Sequence, residues 1–363
     1  IEVNLREIAE TKKLWPDRAV VVSLMVESKR EAWHDIVKRT IDTGADGIEL
    51  NYGCPHGMSE RGMGSAVGQV PEYCQMITEW VMEASTIPVL VKLTPNVTDV
   101  RYPGRAAKRA GANGISLINT INSIMGVDLD TFELKPSVDG KGGHGGYAGP
   151  AVKPIALNMV SQIALDPEIQ LPISGIGGIS TWRDALEFIL LGASSVQVCT
   201  AVMHYGFRIV EDMMEGLTNW MEVKGYTSLD QIRGKALKGI DDFGNLNLLY
   251  KSVARIDESK CIQCNLCYIA CEDSAHQCID LVEKNIRVNG TTEVKMQPKV
   301  RESDCVGCRL CYIVCPVDGC ISMVRLDDGT ESKTWNELVK ELPQPMTWEA
   351  LRAFQKKHGI EIH

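Results

Sequence analysis

No apolar run in this chain approaches the roughly 20 residues a membrane helix requires. No basic segment followed by an apolar stretch opens it as a secretory signal would. Both absences lead us to expect a soluble, cytoplasmic protein that contacts no membrane. Positive charge is in deficit too: the formal net charge is -9, whereas a general nucleic-acid binder is usually basic. A Rossmann-type dinucleotide fold would carry G-x-G-x-x-G after its first strand, and none stands there. Cysteine is scarce over most of the chain, with only Cys54, Cys74 and Cys199 before residue 260. A disulfide-stapled secreted domain would be short and would not trail a long region nearly free of cysteine.

What is present is concentrated. Of the 13 cysteines, all but those three fall between Cys261 and Cys320. Cys261, Cys264, Cys267 and Cys271 form C-x2-C-x2-C-x3-C, and Cys305, Cys308, Cys311 and Cys315 repeat the spacing with Pro316 behind the last. This is the two-cluster ferredoxin run, in which the fourth cysteine of each run ligates the other cluster. A tight loop wraps three thiolates around one cubane, and the fourth, on the helix that follows, reaches across to the second. The spacing assigns Cys261, Cys264, Cys267 and Cys315 to one [4Fe–4S] cluster, and Cys305, Cys308, Cys311 and Cys271 to the other. Zinc would pair two C-x2-C units and has no use for a triplet. Cys278 and Cys320 fall outside the pattern; each precedes an isoleucine and reads as a small buried residue. Glu272 rather than proline follows the first run, which leaves the ligand count intact.

Residues 1–235 alternate between short apolar, β-rich runs and amphipathic stretches. Strands are expected over 19–26, 47–51, 88–93, 114–119, 171–175 and 195–199, with helices over 30–43, 71–84, 98–110, 151–165, 181–191 and 207–224. Such βα repeats imply a parallel sheet covered by helices. A doubly wound sheet and a (β/α)8 TIM barrel both fit. Polar residues decide for the barrel: Asn51, Lys92, Asn119 with Thr120, Gly177 with Gly178, and Thr200 collect at the C-terminal strand ends, the active-site rim of that fold. Six units are two short of closure, so the first two strands are expected upstream of Ile1. Residues 236–330 form the expected ferredoxin-like α+β domain, and 331–363 a tail with amphipathic patterns over 335–342 and 348–357.

The last two units carry a phosphate signal. Gly175-Ile176-Gly177-Gly178 ends one strand and Cys199-Thr200 the next, where the loops of a barrel's seventh and eighth strands hold phosphate on backbone N–H groups. Lys92 shares a strand face with Leu90 that can turn into the barrel, and a buried lysine needs an anion. Two compatible readings stand: an ion pair with Glu49 on the neighbouring strand, or a place beside the N1–C2=O edge of a flavin. The segment from Asn51 to Gly64, with glycines at 53, 57, 62 and 64, reads as a mobile lid over the barrel mouth. Cys54 at its base is either a buried structural thiol or a reacting group. The rim position, the glycine-rich loop and Asn51, suited to an amide or imide, favour chemistry.

The stretch Asn51–Gly64, the run Lys92-Leu-Thr-Pro-Asn-Val-Thr-Asp99, Asn119-Thr120 and the paired cysteine runs resemble the dihydropyrimidine dehydrogenase family. The resemblance is greatest to its bacterial, NAD-dependent, iron–sulfur FMN- and pyrimidine-binding subunits and extends to about residue 327. It implies an FMN barrel that reduces the 5,6 double bond of uracil or thymine. By position in the motifs it implies Cys54 as general acid. Asn51, Tyr52, Gly53, Asn119 and Thr120 would contact the pyrimidine. Lys92, Gly149, Ile176, Gly177, Gly178, Cys199 and Thr200 would contact the flavin. A further flavin lysine and substrate asparagine of the family would lie upstream of Ile1. Hydride from FMN would reach C6 while a thiol on the opposite face protonates C5, and asparagines supply the donor and acceptor pairs of an imide edge. Since no nicotinamide fingerprint is present, an FAD-containing, NAD(P)H-oxidising partner subunit is expected to supply the electrons. Dihydroorotate dehydrogenase is the nearest rival, opposed by His56-Gly57-Met58 and the eight-cysteine tail. The acidic balance opposes a tRNA-dihydrouridine synthase, and the Cys54 loop opposes a bare electron carrier.

Overall fold

The computed structural model describes residues 1–55, 62–248, 250–274, 276–288, 291–327, 329, 333–343 and 345–357. The chain forms two compact units, Ile1–Ile240 and Asp241–His363.

In the first unit six strands lie in one parallel sheet in chain order: β1 (Val21–Leu24), β2 (Gly47–Asn51), β3 (Val89–Lys92), β4 (Gly114–Leu117), β5 (Ile173–Ile176) and β6 (Ser195–Gln197). Strands of this kind need both faces covered. One face is strictly apolar: Ile48 and Leu50, Val89 and Val91, and Ile115 and Leu117 are all fully buried. They meet helices whose buried residues recur at helical spacing, such as Trp33, Ile36, Val37 and Thr40 on α2 (Arg30–Asp42). On α3 (Pro71–Ala84), Pro71 begins the helix, where its missing N–H costs nothing, and Cys74, Ile77, Thr78 and Val81 face the core. Helices α4 (Arg101–Arg109), α5 (Lys153–Leu165), α6 (Trp182–Leu190), α7 (Thr200–Tyr205) and α8 (Ile209–Lys224) complete the layer. Thr181 and Asp184 cap α6 reciprocally.

The opposite sheet face carries a row of polar groups. Register sets Asn51 beside Lys92, Lys92 beside Ser116, and Ser116 beside Ser174. This is the curled parallel sheet of a TIM-barrel α/β fold, and among the described residues it does not close, β1 and β6 being its edges. Two features go beyond the sequence-based expectation. A helix, α1 (Glu2–Leu14), precedes β1. An excursion between β4 and α5 forms two small antiparallel pairs, Ile121–Ser123 with Gly145–Tyr147 and Gly126–Val127 with Leu134–Lys135.

The second unit has twofold internal likeness. Its first strand, β7 (Ser252–Ile256), pairs antiparallel with its last, β10 (Ile321–Arg325), and β8 (Ile279–Val288) forms a hairpin with β9 (Thr291–Val300). Each cysteine triplet runs into a short helix, α9 (Leu266–Glu272) or α10 (Leu310–Val314). Corresponding positions of the two loops turn left-handed: Gln263 (φ 56°) and Asn265 (φ 60°) in one, Gly307 (φ 71°) and Arg309 (φ 66°) in the other. That repeat curls each loop tightly enough to gather three thiols. The tail carries α11 (Trp335–Lys340) and α12 (Trp348–Lys357) and belongs to this unit, with Asn336 Nδ2 donating to Asn245 Oδ1 at 2.7 Å. No described helix is long and apolar enough to cross a membrane.

Candidate active site and cluster cavities

A cavity of about 180 Å³ opens at the C-terminal strand ends of the first unit. Lys92 from β3, Asn119 and Thr120 beyond β4, Ile176, Gly177 and Gly178 at the end of β5, and Cys199 and Thr200 beyond β6 all line it. Gly149 and Tyr147, from the end of the excursion, close one side. Every residue expected to touch a flavin is therefore on one wall or another. The glycines are there for close approach. Gly178 is left-handed at φ 77°, and a Cβ on it would stand 2.8 Å from Gly149 O and 2.9 Å from Lys153 N. Gly149 (φ 95°) and Gly177 (φ 132°) are also in conformations that L side chains rarely adopt. A cradle of exposed backbone beside a cation suits a phosphate-bearing flavin.

Lys92 makes the ion pair with Glu49. Its Nζ donates to Glu49 Oε1 at 3.0 Å and to Gln197 Oε1 at 3.1 Å, and it also faces the cavity. Gln197 on β6 was not expected to contribute. It lies on the inward face with Ser195, but that alternation spans only three residues and names no partner.

Asn51 ends β2 and binds backward rather than outward. Its Oδ1 accepts from the amides of Gly53 (3.3 Å) and Cys54 (3.2 Å) and from Asn119 Nδ2 (2.8 Å). With that oxygen committed, Asn51 meets a ligand only as a donor through Nδ2. Asn119 in turn accepts the Thr120 N–H at 2.8 Å. Asn96, also absent from the expected set, ties this segment down. Its Nδ2 donates to Thr120 O (3.1 Å), and its Oδ1 accepts the Asn122 N–H (2.9 Å). Gly53 packs so closely that a Cβ would overlap Asn119 Cβ and lie 2.6 Å from its Cγ.

Tyr52 corrects the sequence-based expectation. Its side chain is buried in the core, away from the rim, with its hydroxyl 3.1 Å from Thr78 Oγ1, and burial holds its pKa well above the ordinary phenol value. Strand alternation explains this: Ile48, Leu50 and Tyr52 share the helix-covered face. Cys54 is half-buried, its carbonyl accepts the Ser65 N–H at 3.1 Å, and it does not line the cavity. The expected lid through His56, Gly57, Met58 and on to Arg61 lies outside the described residues. Cys74 is a core thiol whose pKa burial pushes up to about 12.

In the second unit the cysteines sort into two similar cavities. One is lined by Cys261, Cys264, Cys267 and Cys315 together with Cys320; the other by Cys305, Cys308, Cys311 and Cys271 together with Cys278. The fourth cysteine of each run thus crosses to the other run's cavity. Burial pushes the Cys267 and Cys311 thiols up to about 11. Thiolates in such surroundings need a cationic centre among them. Among the described residues no trio of His, Cys, Asp or Glu closes on a point fit for one ion. A triplet from one run joined by the fourth cysteine of the other suits a [4Fe–4S] cluster better than zinc. Cys278 and Cys320, expected to be small buried residues, are buried beside these quartets.

Comparison with known proteins defines the class. Residues 1–221 match the dihydroorotate dehydrogenase family model and residues 254–323 the 4Fe-4S dicluster domain. The chain belongs to the dihydroorotate dehydrogenase family, in the form of a flavin- and iron–sulfur-dependent oxidoreductase subunit. Within it, the chain is 43% identical over 285 residues to the NAD-dependent dihydropyrimidine dehydrogenase subunit PreA of Escherichia coli, covering 78% of this chain and 69% of that one. It is 41% identical over 242 residues to the chloroplastic NADP-dependent dihydropyrimidine dehydrogenase of Arabidopsis thaliana (66% and 57% covered). It is 44% identical over 194 residues to the catalytic subunit of dihydroorotate dehydrogenase B of Pyrococcus abyssi (53% and 62% covered).

Proposed function

We propose that this chain is the catalytic subunit of an NAD-dependent dihydropyrimidine dehydrogenase. It would reduce the 5,6 double bond of uracil or thymine with Cys54 as general acid. The observation that carries this reading is the 2.8 Å bond from Asn119 to Asn51, which hangs the Cys54 loop from the rim of the glycine-cradled cavity. When bound, FMN would supply hydride to C6 of the pyrimidine, and two [4Fe–4S] clusters would supply it with single electrons. Lys92, Gly149, Ile176, Gly177, Gly178, Cys199 and Thr200 hold the flavin. Cys261, Cys264, Cys267 and Cys315 hold one cluster; Cys305, Cys308, Cys311 and Cys271 hold the other. Asn51 Nδ2 donates to a pyrimidine carbonyl, and Asn119 and Thr120 pair with the imide edge. Cys54 Sγ–H gives its proton to C5, and the thiolate left behind recovers one from water. An FAD-containing, NAD(P)H-oxidising partner subunit supplies the electrons, in keeping with the E. coli relative's being one subunit of an NAD-dependent enzyme.

A dihydroorotate dehydrogenase activity is the second reading, favoured by the family model and the Pyrococcus relative. Anaerobic turnover of the flavin- and iron-loaded chain with a reduced viologen, against uracil, thymine and orotate, separates the two. Uracil or thymine turnover that Cys54→Ala lowers by about 10²–10⁴-fold, with flavin absorbance retained, is the expected result. Orotate turnover alone selects the second reading, and wild-type rates in the Cys54 variant refute the acid assignment.

A further inference from the structure

Beneath the cavity five of the six strands contribute to one closed polar circuit. Glu49 on β2 stands at its centre with its side chain 8% exposed, paired at 3.0 Å with Lys92, itself 16% exposed. The second carboxylate oxygen, Oε2, accepts from Ser116 Oγ on β4 and from Gln197 Nε2 on β6, each at 2.8 Å. Gln197 Nε2 also reaches Ser174 Oγ on β5 at 3.1 Å, while its Oε1 accepts from Lys92 at 3.1 Å. The orientation of every group follows from its neighbours: the lysine can only donate, so the amide must present oxygen to it and nitrogen to the carboxylate. Lys92 and Gln197 line the cavity, whereas Glu49 does not. Glu49 therefore acts on whatever the cavity holds only through those two side chains.

We propose that Glu49 is a positioning residue that keeps the flavin strongly reducing by holding back part of the charge of Lys92. The inference rests on the reading that this cavity binds the flavin. A lone ammonium at the flavin edge favours the form that carries more negative charge and so raises the reduction potential. A carboxylate fixed 3.0 Å behind that ammonium turns the cation into one end of a dipole, whose field falls off faster with distance. Low-dielectric surroundings strengthen both terms. Burial alone would account for the pair as charge compensation, but that role leaves the flavin potential where it is.

The two accounts separate in a dye-linked spectroscopic redox titration of the flavin-loaded chain. Glu49→Gln preserves size and removes the charge. Its flavin midpoint should move positive by at least the equivalent of a tenfold change in the reduction equilibrium, about 30 mV for a two-electron couple. Lys92→Met should move it negative. Glu49→Asp, which keeps the charge but withdraws it by one carbon, should give a smaller positive shift, and it carries the test if the glutamine variant does not fold. An unchanged midpoint in a Glu49 variant that binds flavin at wild-type stoichiometry overturns the proposal and leaves the flavin reading standing. A folded wild-type chain that takes up no FMN overturns the flavin reading and this role with it.

Discussion

Adding one methyl group at Gly53 tests how the Cys54 loop is held. Gly53 is not in a left-handed conformation, so alanine brings no backbone penalty of the kind glycine usually avoids. The whole effect is steric. The new Cβ would overlap Asn119 Cβ and lie 2.6 Å from Asn119 Cγ and 2.7 Å from its Nδ2. The first of these atoms is fixed to the backbone and cannot swing aside. Overpacking of this sort costs roughly 1–3 kcal/mol, and displacing Asn119 forfeits its 2.8 Å bond to Asn51, a further loss of about 1 kcal/mol. The expected destabilisation is about 2–4 kcal/mol, or roughly 5–15 °C in melting temperature for a unit of this size. Thermal unfolding followed by circular dichroism reads the first quantity, and steady-state uracil reduction the second. Turnover should fall with it if, as proposed, Asn119 meets the imide edge of the substrate. A second substitution sharpens the test: Asn119→Gly removes all three atoms that the methyl would strike. The double variant should regain most of the lost stability while remaining inactive. A Gly53→Ala protein that melts within about a degree of wild type would show that the two loops are not in contact as described.

Further outcomes follow from the same geometry. Cys315→Ala should halve the iron content and abolish the cluster otherwise held by Cys261, Cys264 and Cys267, leaving the signal of the other in electron paramagnetic resonance; loss of the Cys305 cluster instead would refute the crossed ligand sets. Gly178→Ala combines a left-handed position with a Cβ 2.8 Å from Gly149 O. It should weaken FMN binding at least tenfold, about 1.4 kcal/mol, in a fluorescence titration, with iron content unchanged; unaltered affinity would refute the cradle. Buried Cys74, with its pKa pushed up to about 12, ionises in the unfolded chain from about pH 8.5 but not in the folded one. The unfolded state then binds fewer protons, so stability falls as pH rises, by up to about 1.4 kcal/mol per unit. Urea midpoints between pH 8 and 10 should therefore decline less steeply in Cys74→Ala than in wild type; parallel slopes would refute this.

What the sequence revealed and what it concealed divide along physical lines. Strand Gly47–Asn51 is legible to the residue because apolar and polar side chains alternate within it and glycine begins it. The cysteine quartets are legible because ligand spacing is itself a geometric constraint, and each cavity gathers one expected group of four, with Cys278 or Cys320 as a fifth. Tyr52 was within reach of the same logic: extending the β2 alternation by one step puts it with Ile48 and Leu50 under the helices. The Glu49–Gln197 bond was not, since it joins residues 148 positions apart and depends on how far the sheet curls. The excursion over residues 121–147 resisted for another reason. Its pairs are two or three residues long, and no period can show in so short a run.

Asn119 is the residue on which the two halves of the site turn. It lines the cavity that the flavin would fill, and Cys54 does not. Yet the Cys54 amide and Asn119 Nδ2 converge on one oxygen, Asn51 Oδ1, at 3.2 and 2.8 Å. A proton donor placed inside the cavity would compete with the flavin for the same face of a planar substrate. The proposed addition across a double bond from two sides needs the thiol on the other face. The link also makes the two steps interdependent. Whatever shifts Asn119 to fit a substrate moves the anchor of the Cys54 loop by the same hydrogen bond.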